Sequence, residues 1–207
     1  MSYVVAVAAP IGGGKSSLVR ALAQALGDAA TIHFDHYERA TDKSVAELVE
    51  WMGRGADFDE LSAPNLARDL AALKGGASVV DPLTQSEIAP GRYVVFEMPL
   101  GREYSATAPL INVLIWVDVP LDIALARKLK EFTGSFLSRQ QGAPQEFVVW
   151  VDNYLDHYLT AIRDVLCIQE ARARAKADVV VDGRNSLEVM VQQAMQEIMK
   201  RCQEPLP

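Results

Sequence analysis

The stretch that most constrains what this chain can fold into is VAVAAPIGGGKSSLVRAL, from Val5 to Leu22. An apolar run closes on three glycines, a lysine and two serines, and leucines follow at helical spacing. Gly14, Lys15 and Ser16 fill the second half of G-x-x-x-x-G-K-[ST], the pattern of a loop that cradles phosphates, while Ala9 stands at the first glycine position. Successive glycines let backbone N–H groups converge on one concavity, and the positive end of the following helix adds to the field there. Gly12, Gly13, Gly14, Lys15, Ser16 and Ser17 are therefore the expected nucleotide-phosphate site. Lys15 reaches the β and γ phosphates and Ser16 offers its hydroxyl to Mg²⁺. Ala9 suffices at the strand end provided its φ is negative.

The rest of the chain repeats the same alternation. Continuous apolar runs, YVVAVAA from Tyr3, TIHF from Thr31, YVVF from Tyr93, INVLIWV from Ile111 and DVVV from Asp178, read as strands buried on both faces of a parallel sheet. Between them lie helical patterns: Leu18, Leu22 and Leu26; Leu66, Leu70 and Leu73; and a stripe of Phe147, Val151, Tyr154, Tyr158 and Ile162. A last helix is expected to open at Asn185, with Glu188 completing a capping box, and to turn Leu187, Val191, Met195 and Ile198 inward. Strand and helix alternation implies a three-layer α/β fold, here as one domain over residues 1–207. Two stretches show no clear core pattern, 42–64 and 131–146, and read either as solvated connections or as lids and substrate walls beyond the strand ends.

Composition narrows the partners. A formal net charge of -7 opposes a nucleic-acid-coating role, so a bound anion must be met by local cations. Cys167 and Cys202 lie far apart in no metal-ligand spacing, which fits a reduced, cytoplasmic setting. No apolar run reaches the length of a membrane helix, and none at the start has the form of a signal peptide. No membrane or nucleic-acid partner is expected, and the oligomeric state is open, a homodimer included.

A phosphate loop alone says that a nucleotide is held. The chain contains neither the N-K-x-D motif of GTPases nor the L-S-G-G-Q signature of transport ATPases, which leaves small-molecule kinases as the leading class. These need an acid near the acceptor hydroxyl, a second acid for Mg²⁺ and cations over the transferring phosphoryl group. Asp35, in IHFDHY, is the candidate base or Mg²⁺ partner, and Glu97, in VVFEMPLG, the candidate for Mg²⁺ or its waters. Arg127, Lys128 and Lys130, with Arg139 further on, form the candidate clamp. His36 and Tyr37, beside Asp35, are candidate acceptor contacts, as is Thr84 in the DPLT turn.

In these residues the chain resembles the uridine kinase, phosphoribulokinase and bacterial pantothenate kinase group of P-loop kinases through nearly its whole length. GGGKSSL is similar to that group's phosphate loop, FDHY to its second-strand end, VVFEMPLG to its acidic strand end, and LIWVDVPLDIALARKLK to the strand and start of its lid helix. The resemblance implies a five-stranded parallel sheet in the order 2-3-1-4-5 and a lid around 127–145. It also implies Asp35 as base, Glu97 with Ser16 and Asp35 around Mg²⁺, and Arg127 with Lys128 as lid cations. Where a uridine kinase reads tyrosine and aspartate after the proline, this chain has Leu83 and Thr84. The expected activity is ATP- and Mg²⁺-dependent phosphorylation of a hydroxyl on a small metabolite: a nucleoside, a pantothenate-like compound or a sugar. The rivals are a nucleotide-binding regulatory module without acceptor chemistry and a partner-coupled ATPase.

Overall fold

The computed structural model describes residues 1–37, 43–139 and 144–203. Chain order begins with β1 (Tyr3–Ala8), α1 (Lys15–Leu26), β2 (Ala29–Ile32), α2 (Val45–Gly53) and α3 (Leu66–Gly75). A two-residue pair, β3 (Val79–Val80) and β4 (Glu87–Ile88), forms a separate antiparallel hairpin before β5 (Tyr93–Glu97) and β6 (Val113–Asp118). Then come α4 (Leu121–Arg139), α5 (Pro144–His157), α6 (Arg163–Ala175), β7 (Val179–Asp182) and α7 (Leu187–Gln203).

The main sheet is parallel throughout, in the order β2-β5-β1-β6-β7. Counted among themselves, its five strands run 2-3-1-4-5, as the resemblance implies. β1 lies at the centre, pairing Val5 with Val95 on one side and with Val113 on the other. Because side chains alternate along a strand, its residues divide between two cores. Val4, Ala6 and Ala8 join Ile32, Phe96, Leu114 and Trp116 beneath α2 and α3. Val5, Val7 and Ala9 join Ile115 and Val117 beneath α1 and α7. A strand buried on both faces has no polar position to spare, which is why its run reads as uninterrupted.

Several local expectations change. β2 stops at Ile32, and Phe34–His36 form a 3₁₀ turn, so Asp35 stands one turn beyond the strand. The 42–64 stretch contains a real helix: Ser44 caps α2 in a capping box with Glu47, and the buried Trp51 and Phe58 anchor the segment to the core. Two aromatic anchors at irregular spacing escape a periodicity search. The 131–146 stretch is helical on both sides, ending α4 and beginning α5; residues 140–143, within the expected lid, and the Arg139 side chain lie outside the described part. α5 packs on α4 through rings, with Phe147 stacked on Phe136 at 4.6 Å and Trp150 edge-on to Phe132 at 4.6 Å. A π-helical turn over Tyr158–Ile162 interrupts the expected stripe.

The last helix starts one residue later than expected. Ser186, not Asn185, precedes it, taking a bond from the Val189 N–H on its hydroxyl at 3.4 Å and from the Met190 N–H on its carbonyl at 3.1 Å. The inward face shifts accordingly to Met190, Ala194 and Ile198, with Val191 and Met195 half-buried beside it and Leu187 exposed. Ile198→Ala should therefore cost about 2–5 kcal/mol in urea denaturation. Leu187→Ala should stay within about 0.5 kcal/mol, and equal losses would contradict this packing.

Candidate active site

The carboxyl edge of the sheet brings together the exits of β1, β2, β5 and β6. The exit of β1 becomes the glycine loop. Ala9 is fully buried and is not among the described residues with positive φ, so the missing first glycine imposes no backbone strain. Gly12, by contrast, has φ +75°, and a Cβ built on it would lie 2.0 Å from the Ala124 carbonyl of α4. A Cβ on Gly13 would lie 2.7 Å from the Ala9 methyl. The alanine is thus compatible with the loop because its neighbour is glycine. Gly14 is the residue at which the loop enters α1.

Behind the loop, Lys15 Nζ donates to the carbonyls of Ala9 and Pro10, both at 3.1 Å. Desolvation of the ammonium pulls its pKa below the ordinary lysine value, against the opposing pull of Glu97 and Asp35. Gln169 of α6, buried, donates from Nε2 to Ala9 O at 3.1 Å and to Pro99 O at 2.6 Å, tying the exits of β1 and β5 to one helix.

A cavity of about 510 Å³ opens above the loop. Gly12, Gly14, Lys15, Ser16 and Ser17 form its floor, while Asp35 and Glu97 stand in its wall. Arg127 and Lys128 of α4 face them, together with Arg20 and Glu131. Four cations and three acids thus converge on one concavity of an acidic chain, the local compensation an anion requires. Arg127 is anchored by a bond from Nη2 to the Gly183 carbonyl at 3.0 Å. Lys128 pairs with Glu131 at 3.0 Å and lies 4.6 Å from the Phe132 ring centroid. Lys130 is exposed on α4 and takes no part in the cavity lining.

Glu97 is buried, and its Oε1 lies 2.8 Å from His33 Nδ1. Burial alone would raise this carboxyl, but His33, Ser16 and Lys15 outweigh it and hold it below the ordinary glutamate value. The Glu97 hydrogen bond in turn raises His33. Sequence reasoning missed this histidine as well as Arg20 and Gln169. The β2–β5 register pairs Ile32 with Phe96 and so sets His33 beside Glu97, a signal available only once the strand order is known.

Other candidates are placed elsewhere. His36 Nδ1 lies 2.6 Å from Asp81 Oδ2, and Asp81 Oδ1 accepts the N–H groups of Leu83 and Thr84 at 2.9 and 2.8 Å. These contacts hold the Asp81 carboxyl below its ordinary value despite burial. Thr84 is exposed on that capped turn and does not line the cavity above the glycine loop. Tyr37 is buried in the core beside α2 and α3, and burial with the nearby Asp69 carboxylate raises its phenol. It does not line the cavity. Among the described residues no group of three or more His, Cys, Asp and Glu could cage a metal ion. Ser16, Asp35 and Glu97 instead offer the sparse all-oxygen set that suits Mg²⁺, which keeps waters and shares substrate phosphates.

No protein-family model matches the sequence, and no curated protein sequence matches it. Solved structures do. Shikimate kinase from Acinetobacter baumannii in complex with shikimate aligns at TM-score 0.53 and 17% identity, covering 99% of this chain and 97% of that one. A possible uridine kinase from Bacillus stearothermophilus aligns at TM-score 0.53 and 13% identity, covering 87% and 89%. A gluconokinase from Sinorhizobium meliloti 1021 aligns at TM-score 0.50 and 15% identity, covering 96% and 92%. The structural neighbours are thus P-loop kinases of small molecules, among which the uridine kinase group is one of several, and the likeness is one of fold.

The His33–Glu97 pair gives the site a pH signature. A histidine whose folded pKa is raised stabilises the fold fully below its ordinary value of 6.5 and loses that stabilisation as pH rises through the folded value. A lowered carboxyl contributes above its ordinary value of 4.5 and fails as pH falls through the folded one. The pair's contribution is therefore full between 4.5 and 6.5. Melting temperature should decline above that window, and His33→Gln should flatten the decline; an unchanged slope in the variant would reject the pairing.

Proposed function

We propose that the chain is an ATP- and Mg²⁺-dependent phosphotransferase acting on a hydroxyl of a small metabolite, working in a cytoplasmic setting to which its free cysteines Cys167 and Cys202 are suited. The observation that carries this reading is the convergence of Lys15, Asp35, Glu97 and Arg127 on one cavity above a glycine loop. A fold shared with small-molecule kinases supports it.

The proposed role of each residue is supported by its placement. The loop N–H groups and the dipole of α1 bind phosphate oxygens, and Lys15 exchanges its carbonyl partners for the β and γ phosphates. Mg²⁺, when bound, neutralises charge on the phosphates. Ser16 and Glu97 are its proposed protein partners, with Asp35 lining the same cavity. Asp35, exposed to the cavity, accepts the proton of the acceptor hydroxyl. Arg127, held at Nη2 by Gly183 and making no other side-chain hydrogen bond among the described residues, faces the transferring phosphoryl group. His33 orients Glu97. Little covalent chemistry is asked of the protein, since positioning and charge neutralisation supply most of the acceleration. The acceptor turn provides no argument for uridine itself, because Leu83 and Thr84 are exposed away from the cavity.

Lys15→Ala should abolish both the ATP-induced thermal shift and ADP release. Asp35→Asn should keep most of the thermal shift while lowering acceptor-dependent ADP release by roughly 10²–10⁴-fold. Full turnover in Asp35→Asn would remove it as the base. Acceptor-independent ADP release would favour an ATPase, and a thermal shift without any ADP a binding module.

A further inference from the structure

A second cavity, of about 470 Å³, adjoins the first and is of opposite character. Ile11 of the glycine loop lines both. Phe34, the residue before Asp35, and Leu100, three residues past Glu97, continue the wall from the reacting edge. Leu48 and Trp51 of α2 and Leu166 of α6 close it. Its volume falls in the ordinary range of small-molecule sites, about 300–1,000 Å³.

The walls leave little for a polar ligand to bond. Trp51 has one polar atom, Nε1, and it donates to the Asp57 carbonyl at 2.8 Å, so the indole presents apolar surface. Ser44 is spent capping α2 with Glu47. Lys43 and His157 are the other polar lining residues. The π-helical turn contributes Ile162, and such turns recur at functional sites because they widen a helix locally. A polyol buried here would find only Lys43 and His157 for its several hydroxyls and leave most of them without partners, which is costly, whereas an apolar body would release water from both surfaces.

Resting on the phosphotransferase reading, we infer that this cavity holds the body of the acceptor and that the acceptor is an alcohol with a predominantly apolar skeleton, its hydroxyl directed past Ile11 and Phe34 toward Asp35. The acceptor oxygen forms a bond to the γ-phosphorus of ATP as the bond from that phosphorus to the β,γ-bridging oxygen breaks. ADP leaves with that electron pair, and the hydroxyl proton passes to Asp35. Continuity with the phosphate cavity identifies the occupant as a substrate and not as a helix of a partner.

The test uses the full chain and two readouts. Trp51 fluorescence is titrated with 1-octanol and with cinnamyl alcohol, Trp51→Phe serving to assign the signal. ADP release is then compared across these alcohols, shikimate, gluconate and uridine. The expected result is saturable Trp51 quenching by the apolar alcohols and a kcat/KM for at least one of them about 10-fold or more above every polyol, the scale on which an apolar pocket discriminates. Leu48→Gln should raise the KM for that alcohol by about 10-fold or more, with the ATP-induced thermal shift showing that the variant is folded. Preferred turnover of shikimate, gluconate or uridine, or an unchanged KM in Leu48→Gln, overturns the apolar assignment while leaving the kinase reading intact. Absence of any ATP-induced thermal shift in the parent chain overturns the kinase reading itself, and the assignment with it.

Discussion

The architecture depends on β1 being apolar on both faces. Val4 through Ala9 have no exposed surface, so this strand can lie only at the centre of a covered sheet, with β5 and β6 beside it. A parallel neighbour on each side aligns three strand exits at one edge, and the glycine loop necessarily emerges there. The loop is then closed from outside by the Ala124 carbonyl of α4 and from within by the Lys15 ammonium, while Gln169 clamps the Ala9 and Pro99 carbonyls. Burial of one hexapeptide thus propagates into the position of every group at the site.

Electrostatics at this edge runs against the charge of the whole chain. An acidic protein concentrates Lys15, Arg20, Arg127 and Lys128 around a cavity and balances them with Asp35, Glu97 and Glu131. The acids are not equivalent. Glu97 is buried and locked to His33, whereas Asp35 stands exposed on a 3₁₀ turn. The proposed division of labour, Glu97 beside a cation and Asp35 handling a proton, uses this difference in burial. Next to this polar chamber lies an apolar one sharing Ile11, so the glycine loop borders two cavities of opposite character.

Much of this was legible before the fold was known. The five strand runs, the phosphate loop and the acids Asp35 and Glu97 all lie in local patterns whose physics is local: continuous burial, glycine conformations and helix termini. What escaped depends on neighbours remote in sequence. Tyr37 and Thr84 sit near Asp35 and Pro82 along the chain, yet one turns into the core and the other lies exposed on a turn that Asp81 caps. Arg20 belongs to no motif in the sequence, and only the placement of α1 brings it to the cavity. Trp51 and Phe58 lie in a stretch without periodicity and still anchor it, because two large rings supply enough burial without a repeating stripe.

Local chemistry was sufficient for the layered α/β class and for a glycine loop at the carboxyl edge of the sheet, since a doubly buried strand running into a glycine loop and a helix admits few other structures. The joining of His33 to Glu97, the anchoring of Arg127 on Gly183 and the apolar chamber behind Ile11 required the assembled chain. Each depends on strand order and helix placement, which sequence spacing does not encode: residues 64 and 56 positions apart became partners because parallel strands align their exits at one edge.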